Sequence, residues 1–326
     1  MPLQYSGTLA EHRAVRAGCG IFDVSHLGRF ELAGTGANEL ISRLLCNDPA
    51  RIGHGEAQYT MMLTPEGGVI DDIIIWWLAD ERLIVLPNGA NHDIVMSTFA
   101  AEAGTEVSVT DLRAESVLLA IQGPNAPAIL ETVLGSKPGR FQLLEHLGPD
   151  GSVIAAGTGY TGEPGAEILV AADAGRDAFE RFLDAGAEPA GLGARDTLRL
   201  EMGYALWGQD LDRTVSPLEA GLGWVVGWNH EFVGKDALIA QRDKGVSKQL
   251  IAFTFDGRTI PRPGHQIRCG VSQGSVTSGN FSPGLEVGIG MGYLTPPPSA
   301  AATTLDVEIR GNWRSATITD TPFIER

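Results

Sequence analysis

Two adjacent aspartates interrupt a long apolar run in Glu66-Gly67-Gly68-Val69-Ile70-Asp71-Asp72-Ile73-Ile74-Ile75-Trp76-Trp77-Leu78. A Pro-Glu-Gly-Gly turn feeds a run of β-branched and aromatic residues, which predicts a strand. Successive strand side chains face opposite sides. Asp72 therefore shares a face with Ile70, Ile74 and Trp76, and Asp71 shares the other with Val69, Ile73 and Ile75. One face must pack on a core, so one aspartate sits among apolar neighbours, where an unpaired carboxylate is expensive. A backbone amide or an arginine inside the fold would satisfy it, and so would a ligand bringing a donor or a positive charge. Residues 57–63 predict the hairpin partner, with Tyr59 and Asp72 meeting at one end of the sheet.

The remaining pattern fills in around this hairpin. Residues 8–18 predict a short helix with Thr8 as cap and Gly18 as stop, and residues 21–32 a single strand. Residues 36–46 carry Ala37, Leu40, Ile41, Leu44 and Leu45 on one helical stripe. A strand at 83–86 runs into Pro87-Asn88-Gly89-Ala90-Asn91 and a helix at 94–103; Asn91 is placed to cap that helix, leaving Asn88 to face a ligand. Strands at 107–112 and 116–121 and a helix near 126–134 complete an α+β pattern with helices on one face of a sheet. The polar stretch 243–248 marks a boundary, giving regions 1–243 and 244–326. Beyond it, short strands separated by glycine and proline (250–255, 265–268, 274–278, 288–293, 305–309, 315–318) predict a small β-barrel or sandwich.

Two further stretches carry candidate chemistry. Residues 157–165 hold four glycines, which allow sharp turns and close backbone approach. They do not form a phosphate loop, because no Lys-Ser/Thr follows and no helix opens there. Glu167 follows on a strand between Ala166 and Ile168, a second carboxylate in apolar surroundings. Arg195 falls in the first turn of a helix that begins after Gly191-Leu192-Gly193, where its charge opposes the helix macrodipole. Such a placement points to a tertiary partner: a buried carboxylate or an anionic ligand. His26 has no second His or Cys at ligand spacing, so it reads as a hydrogen-bonded core or pocket-edge histidine and no metal is expected.

Composition narrows the partners. The 326 residues are 43% hydrophobic and 20% charged, enough for two or three cored domains and far from disorder. A formal net charge of -16 repels phosphate backbones and anionic lipid, which disfavours nucleic acid and membrane surfaces as partners. Cys19, Cys46 and Cys269 show no metal-like spacing and fit a reducing compartment. No leader pattern or spanning apolar run occurs, so a cytoplasmic location is expected.

Six motifs appear in order: Asp23-Val24-Ser25-His26, Gly67-Gly68-Val69-Ile70-Asp71-Asp72, Gly159-Tyr160-Thr161-Gly162-Glu163, Gly191-Leu192-Gly193-Ala194-Arg195-Asp196, Gly208-Gln209-Asp210 and Ser278-Gly279-Asn280-Phe281-Ser282-Pro283. Together they closely resemble the aminomethyltransferase family, the T-proteins of the glycine cleavage system, from about Tyr5 to the C-terminus. The resemblance implies a three-lobed cloverleaf: two α+β folate-binding lobes within 1–243 and a C-terminal small β-barrel. It implies tetrahydrofolate as co-substrate, no metal, and a lipoylated H-type carrier protein that presents an aminomethyl group; the products are 5,10-methylenetetrahydrofolate, ammonia and the reduced carrier. By the same resemblance Asp72 is the catalytic carboxylate, while Tyr59, Asn88, Tyr160, Glu167, Arg195, His26 and Leu27 line the folate site. The family has a further helix and a Gly-Trp-x-Met-Pro strand ahead of the position of Met1, and some members continue past Arg326 with a folate contact. Two rival readings share the architecture. A folate-dependent demethylase of a small methylated substrate usually carries a flavin domain. A non-catalytic folate-binding protein carries Lys-Gly-Cys-Tyr where this chain has Gly159-Tyr160-Thr161-Gly162.

Overall fold

A computed structural model describes residues 1–148 and 151–326. Met1–Met62, Ile70–Arg195 and Gly227–Val233 form one compact unit, and Leu63–Val69, Asp196–Val226 and Gly234–Arg326 form a second. The architecture is α+β, with two sheets and a closed six-stranded barrel.

One sheet has the spatial order Glu56–Leu63, Val69–Ala79, Arg82–Leu86, Phe30–Ala33, Ser108–Asp111. Its core gathers Phe30, Leu32, Ile73, Ile75 and Val85 from the strands with Ile41 and Leu44 from the helix Ala37–Leu44 and Phe99 from the helix His92–Glu102. The apolar stripe read at 36–46 is the face that this helix buries. Asp71, Ile73 and Ile75 point into the core, so the period-two pattern selects Asp71 for complete burial and leaves Asp72 half-buried on the other face.

The other sheet has the order Glu188–Pro189, Gly20–Asp23, Ser116–Gln122, Gly165–Ala171, Gly151–Ala156, Leu143–Gly148. Leu119, Ile121, Ile168 and Val170 meet Leu130 and Phe182 from the helices Ala126–Leu134 and Gly175–Asp184. Glu167 pairs with Ala120 on one neighbouring strand and Ala156 on the other, on the face opposite that core.

Two local expectations are corrected. Residues 21–32 do not make one strand. Gly20–Asp23 and Phe30–Ala33 belong to different sheets, and residues 24–29 turn between them. The Arg29 guanidinium stabilises that turn from within: it is buried and donates to the carbonyls of Ser25, Leu27, Arg113 and Ser116 and to the Ser116 hydroxyl. Thr8 does not cap the first helix, Thr8–Ala17, whose N-cap is Gly7. The nearby amides are taken instead by Glu11, which accepts from the N–H groups of Tyr5, Gly7 and Gly191.

The barrel closes through Gln249–Thr254, Val287–Thr295, Ser272–Ser282, Gln266–Cys269, Thr304–Ile309 and Asn312–Thr319, each paired antiparallel to its neighbours. Its interior is filled by Phe253, Ile267, Val276, Leu294 and Val307. Among the described residues no helix is long and apolar enough to cross a membrane.

Candidate active site

The paired aspartates of the strand Val69–Ala79 are joined by one asparagine. Asn88 follows the strand Arg82–Leu86; its backbone N–H donates to Asp71 Oδ2 at 2.9 Å. Its Nδ2 donates to Asp71 Oδ1 at 2.9 Å and to Asp72 Oδ1 at 2.7 Å. The Tyr59 hydroxyl donates to the remaining Asp72 oxygen at 3.1 Å, so the expected meeting of these two residues at the sheet end is seen. Asn91 departs from expectation: it makes no cap bond and donates through Nδ2 to Asp71 Oδ1 at 2.7 Å. Its own αR conformation continues the short 3₁₀ turn Gly89–Asn91 and directs the amide away from the helix amides, toward a buried charge that needs donors. Asn88 is accordingly a clamp on both carboxylates rather than a side chain left over for a ligand.

Burial sets the protonation of this pair. It raises Asp72 above the ordinary carboxylate range, against the hydrogen bonds from Asn88 and Tyr59 and the Arg195 charge. Asp71 is pushed up to about 7, first by burial and then by the charge of Asp72, with the Asn91 and Asn88 donors opposing. Burial and the Asp72 charge drive Tyr59 well above its ordinary value, so it remains a neutral donor.

A second group of residues comes from the other sheet. Phe22, Val24 and Tyr160 give a recess flat and apolar walls, and Gln122, Glu167 and Arg195 its polar lining. The Arg195 guanidinium stacks on the Tyr160 ring, 4.4 Å from its centroid, a cation–π contact that fixes its plane. Its charge acts on both Asp72 and Glu167. Glu167 is raised by burial, with the Thr158 hydroxyl donating to Oε2 and Arg195 opposing the shift. The glycines of 157–165 serve close approach: a Cβ at Gly159 would run into the Gln122 amide. That amide donates to the Thr158 carbonyl and accepts from the Thr161 hydroxyl, while Arg16 donates to the Thr161 carbonyl and pairs with Glu163 at 2.8 Å. The loop that carries Tyr160 is thus held from both sides.

His26 is exposed; surrounding protein atoms and then the Arg195 charge lower its pKa, so its ring stays neutral near pH 7. Leu27 is half-buried in the same turn, with its carbonyl on Arg29, and does not line the recess. Residues missed from sequence are Asp71, Asn91, Thr158 and Gln122. The strand alternation offered Asp71 on equal terms with Asp72. Gln122 had a signal too, as the polar end of the apolar run Val117-Leu118-Leu119-Ala120-Ile121. Nothing local distinguishes Thr158.

The arrangement presents the Glu167 carboxylate, a stacked guanidinium and aromatic walls in one recess, with Asp72 under the charge of the same guanidinium. It suits a flat, donor-rich heterocycle and can stabilise positive charge that develops near Asp72. Among the described residues no cluster of three or more His, Cys, Asp or Glu side chains is placed to hold a metal ion.

Residues 1–230 match the family model described as the GCVT N-terminal domain, and residues 248–325 match the glycine cleavage T-protein C-terminal barrel domain. An aminomethyltransferase of Frankia alni is 43% identical over 334 residues, covering 99% of this chain and 91% of that protein. One from Mycobacterium bovis is 40% identical, covering 99% and 90%. The crystal structure of the glycine cleavage system aminomethyltransferase T from Bartonella henselae superposes with a TM-score of 0.90 at 33% identity, over 99% of this chain and 91% of that one. With both family regions matched in order and the fold shared along its length, the chain belongs to the aminomethyltransferases, the T-proteins of the glycine cleavage system, and is an enzyme of that class.

Proposed function

We propose that the cleft between Asp72 and Glu167 takes tetrahydrofolate, and that a lipoylated H-type carrier protein delivers the aminomethyl group to it. The lining fits a reduced pteridine. Its ring N–H and amino groups are donors, and Glu167 offers a carboxylate of which Thr158 occupies one acceptor site. Tyr160 and Phe22 supply flat surfaces for the ring, and Arg195, fixed on Tyr160, orients it and balances the charge of the two carboxylates. Tyr59 and Asn88 act through Asp72, while His26 stands under the Arg195 charge at the lip and Leu27 backs the same turn.

Tetrahydrofolate supplies the two nitrogens, N5 and N10, that finally hold the one-carbon unit. When the carbon–sulfur bond of the aminomethyl-lipoyl arm breaks, the sulfur leaves as the reduced dihydrolipoyl thiol and ammonia is released. Positive charge builds on the carbon as this happens. Asp72, with both oxygens already held, faces that charge without reorganising, and it positions the accepting partner before it serves as any base. The observation that carries this reading is the double clamp on Asp72 by Tyr59 and Asn88. Residues 1–243 form the folate-binding region in this proposal, residues 244–326 the barrel domain, and the enzyme works in the cytoplasm.

The test is an assay with lipoylated carrier, the other glycine cleavage components and tetrahydrofolate, following 5,10-methylenetetrahydrofolate and ammonia. Asp72→Ala is expected to abolish transfer while the protein stays folded by circular dichroism. Normal turnover in that variant would remove Asp72 from the chemistry.

A further inference from the structure

Asp71 lies on the face of its strand opposite Asp72, fully buried on the core side. A residue there that served only the core would be apolar, as Ile73 and Ile75 are. Instead it accepts three hydrogen bonds: from the Asn88 backbone N–H, the Asn88 amide and the Asn91 amide.

The geometry of Asn88 gives those bonds a purpose. An asparagine amide has two N–H donors and a carbonyl, and it can sit either way round. With carboxylates on both sides, only the orientation that offers one N–H to each is satisfied. Asp71 therefore decides that the amide points N–H, and not carbonyl oxygen, at Asp72 Oδ1. Asp71 also holds the Asn88 main chain, which sets how far the amide reaches. We propose that Asp71 is a positioning residue for aminomethyl transfer, fixing through Asn88 the oxygen of Asp72 that faces the reacting carbon. This rests on the reading of Asp72 given above.

The charged and titratable groups around the pair are few. Asp72 is the charged group that acts on Asp71, and Tyr59 and Arg195 act on Asp72. Protonation of Asp71 puts a hydroxyl where one donor must be accepted, and the clamp on Asn88 loosens. Turnover then falls as pH drops through the Asp71 transition, near 7.

Two variants test this in the carrier-coupled assay, with kcat, the KM for tetrahydrofolate and the pH profile of kcat measured on protein shown folded by a thermal melt. Asp71→Asn sets an amide N–H against the Asn88 donors; kcat is expected to fall roughly 10- to 100-fold with little change in KM, and the acidic limb near pH 7 to disappear. Asn91→Ala removes one donor from Asp71 and touches neither Asp72 nor the Asn88–Asp72 bond. It is expected to fold and to move the acidic limb upward, because the ionised form of Asp71 has lost a hydrogen bond. A purely structural Asp71 would lower the melting temperature of both variants and leave kcat and the limb of the folded protein as in wild type, which would overturn the proposal. Asp72→Asn runs beside them. If it retains turnover, the reading of Asp72 is wrong; if it is inactive while Asp71→Asn and Asn91→Ala keep the wild-type profile, only the role of Asp71 is.

Discussion

Burial raises the pKa of Glu167, and the same is true of Asp72 and Asp71. The consequence for stability has a definite sign. A carboxyl whose folded pKa lies above its unfolded value binds more protons in the folded state between those two values. Its contribution to stability is full below the unfolded pKa and is lost as pH rises through the folded one. Above its folded pKa such a carboxylate works against folding, and a neutral isostere relieves it. Glu167→Gln is expected to raise the midpoint of urea unfolding at pH 7.5 while weakening tetrahydrofolate binding on the order of 10-fold or more in calorimetry. A variant that loses both stability and affinity would mean that Glu167 serves the fold. Asp111 behaves oppositely: the Arg113 hydrogen bond holds it down to about 2, so its contribution is present at neutral pH and is lost as pH falls below the ordinary carboxylate range.

At the scale of the element, the turn at residues 24–29 shows what a periodic reading cannot reach. The run Ile21-Phe22-Asp23-Val24-Ser25-His26-Leu27-Gly28-Arg29-Phe30 alternates well enough for one strand. What breaks it is Arg29, whose five N–H donors all find oxygen acceptors, four of them carbonyls of residues distant in sequence or on the turn itself. A tertiary hydrogen-bond cage leaves no periodic trace. By contrast the hairpin of Glu56–Leu63 and Val69–Ala79 was legible because its cause is local: a glycine turn between two β-rich runs. The same division holds in the site. Tyr59 against Asp72 follows from hairpin register, whereas the exchange of roles between Asn88 and Asn91 depends on a 3₁₀ turn that spacing does not reveal. Arg29→Lys tests the cage. A lysine has three donors on a flexible stem and cannot fill five acceptor directions. It is expected to destabilise the protein by about 3 kcal/mol, read as a lower urea midpoint with an unchanged slope. An unshifted midpoint would show that water replaces the cage.

At the scale of the whole molecule, the barrel was legible from six short strands spaced by glycine and proline, but the membership of the second unit was not. Leu63–Val69 belongs to that unit because the Val69 N–H donates to the carbonyls of Asp212 and Val215, and because a Cβ at Gly68 would collide with the Arg213 backbone. Segment 196–226 holds a buried ion pair whose two members hydrogen-bond to the barrel residues Thr277, Ser278 and Tyr293, which the Gly208-Gln209-Asp210 and Ser278-Gly279 motifs marked without explaining. Arg199 Nη1 lies 2.9 Å from Asp210 Oδ2, with the side chains 1% and 0% exposed. Asp210 also accepts from the hydroxyls of Thr277 and Ser278 and from the Leu206 N–H, and the Tyr293 hydroxyl donates to its carbonyl. Removing one member of such a pair leaves the other charge buried, which costs far more than the pair itself contributes. Asp210→Ala is therefore expected to destabilise the protein by about 3–5 kcal/mol. Asp196, a half-exposed partner of Arg199, compensates only in part. The check is urea unfolding followed by the tryptophan signal, with limited proteolysis to locate the first opening. Early cleavage should fall within 196–226, where the bonds to Asp210 are lost. A midpoint within error of wild type, or first cleavage elsewhere, would mean that apolar packing alone holds this segment to the barrel.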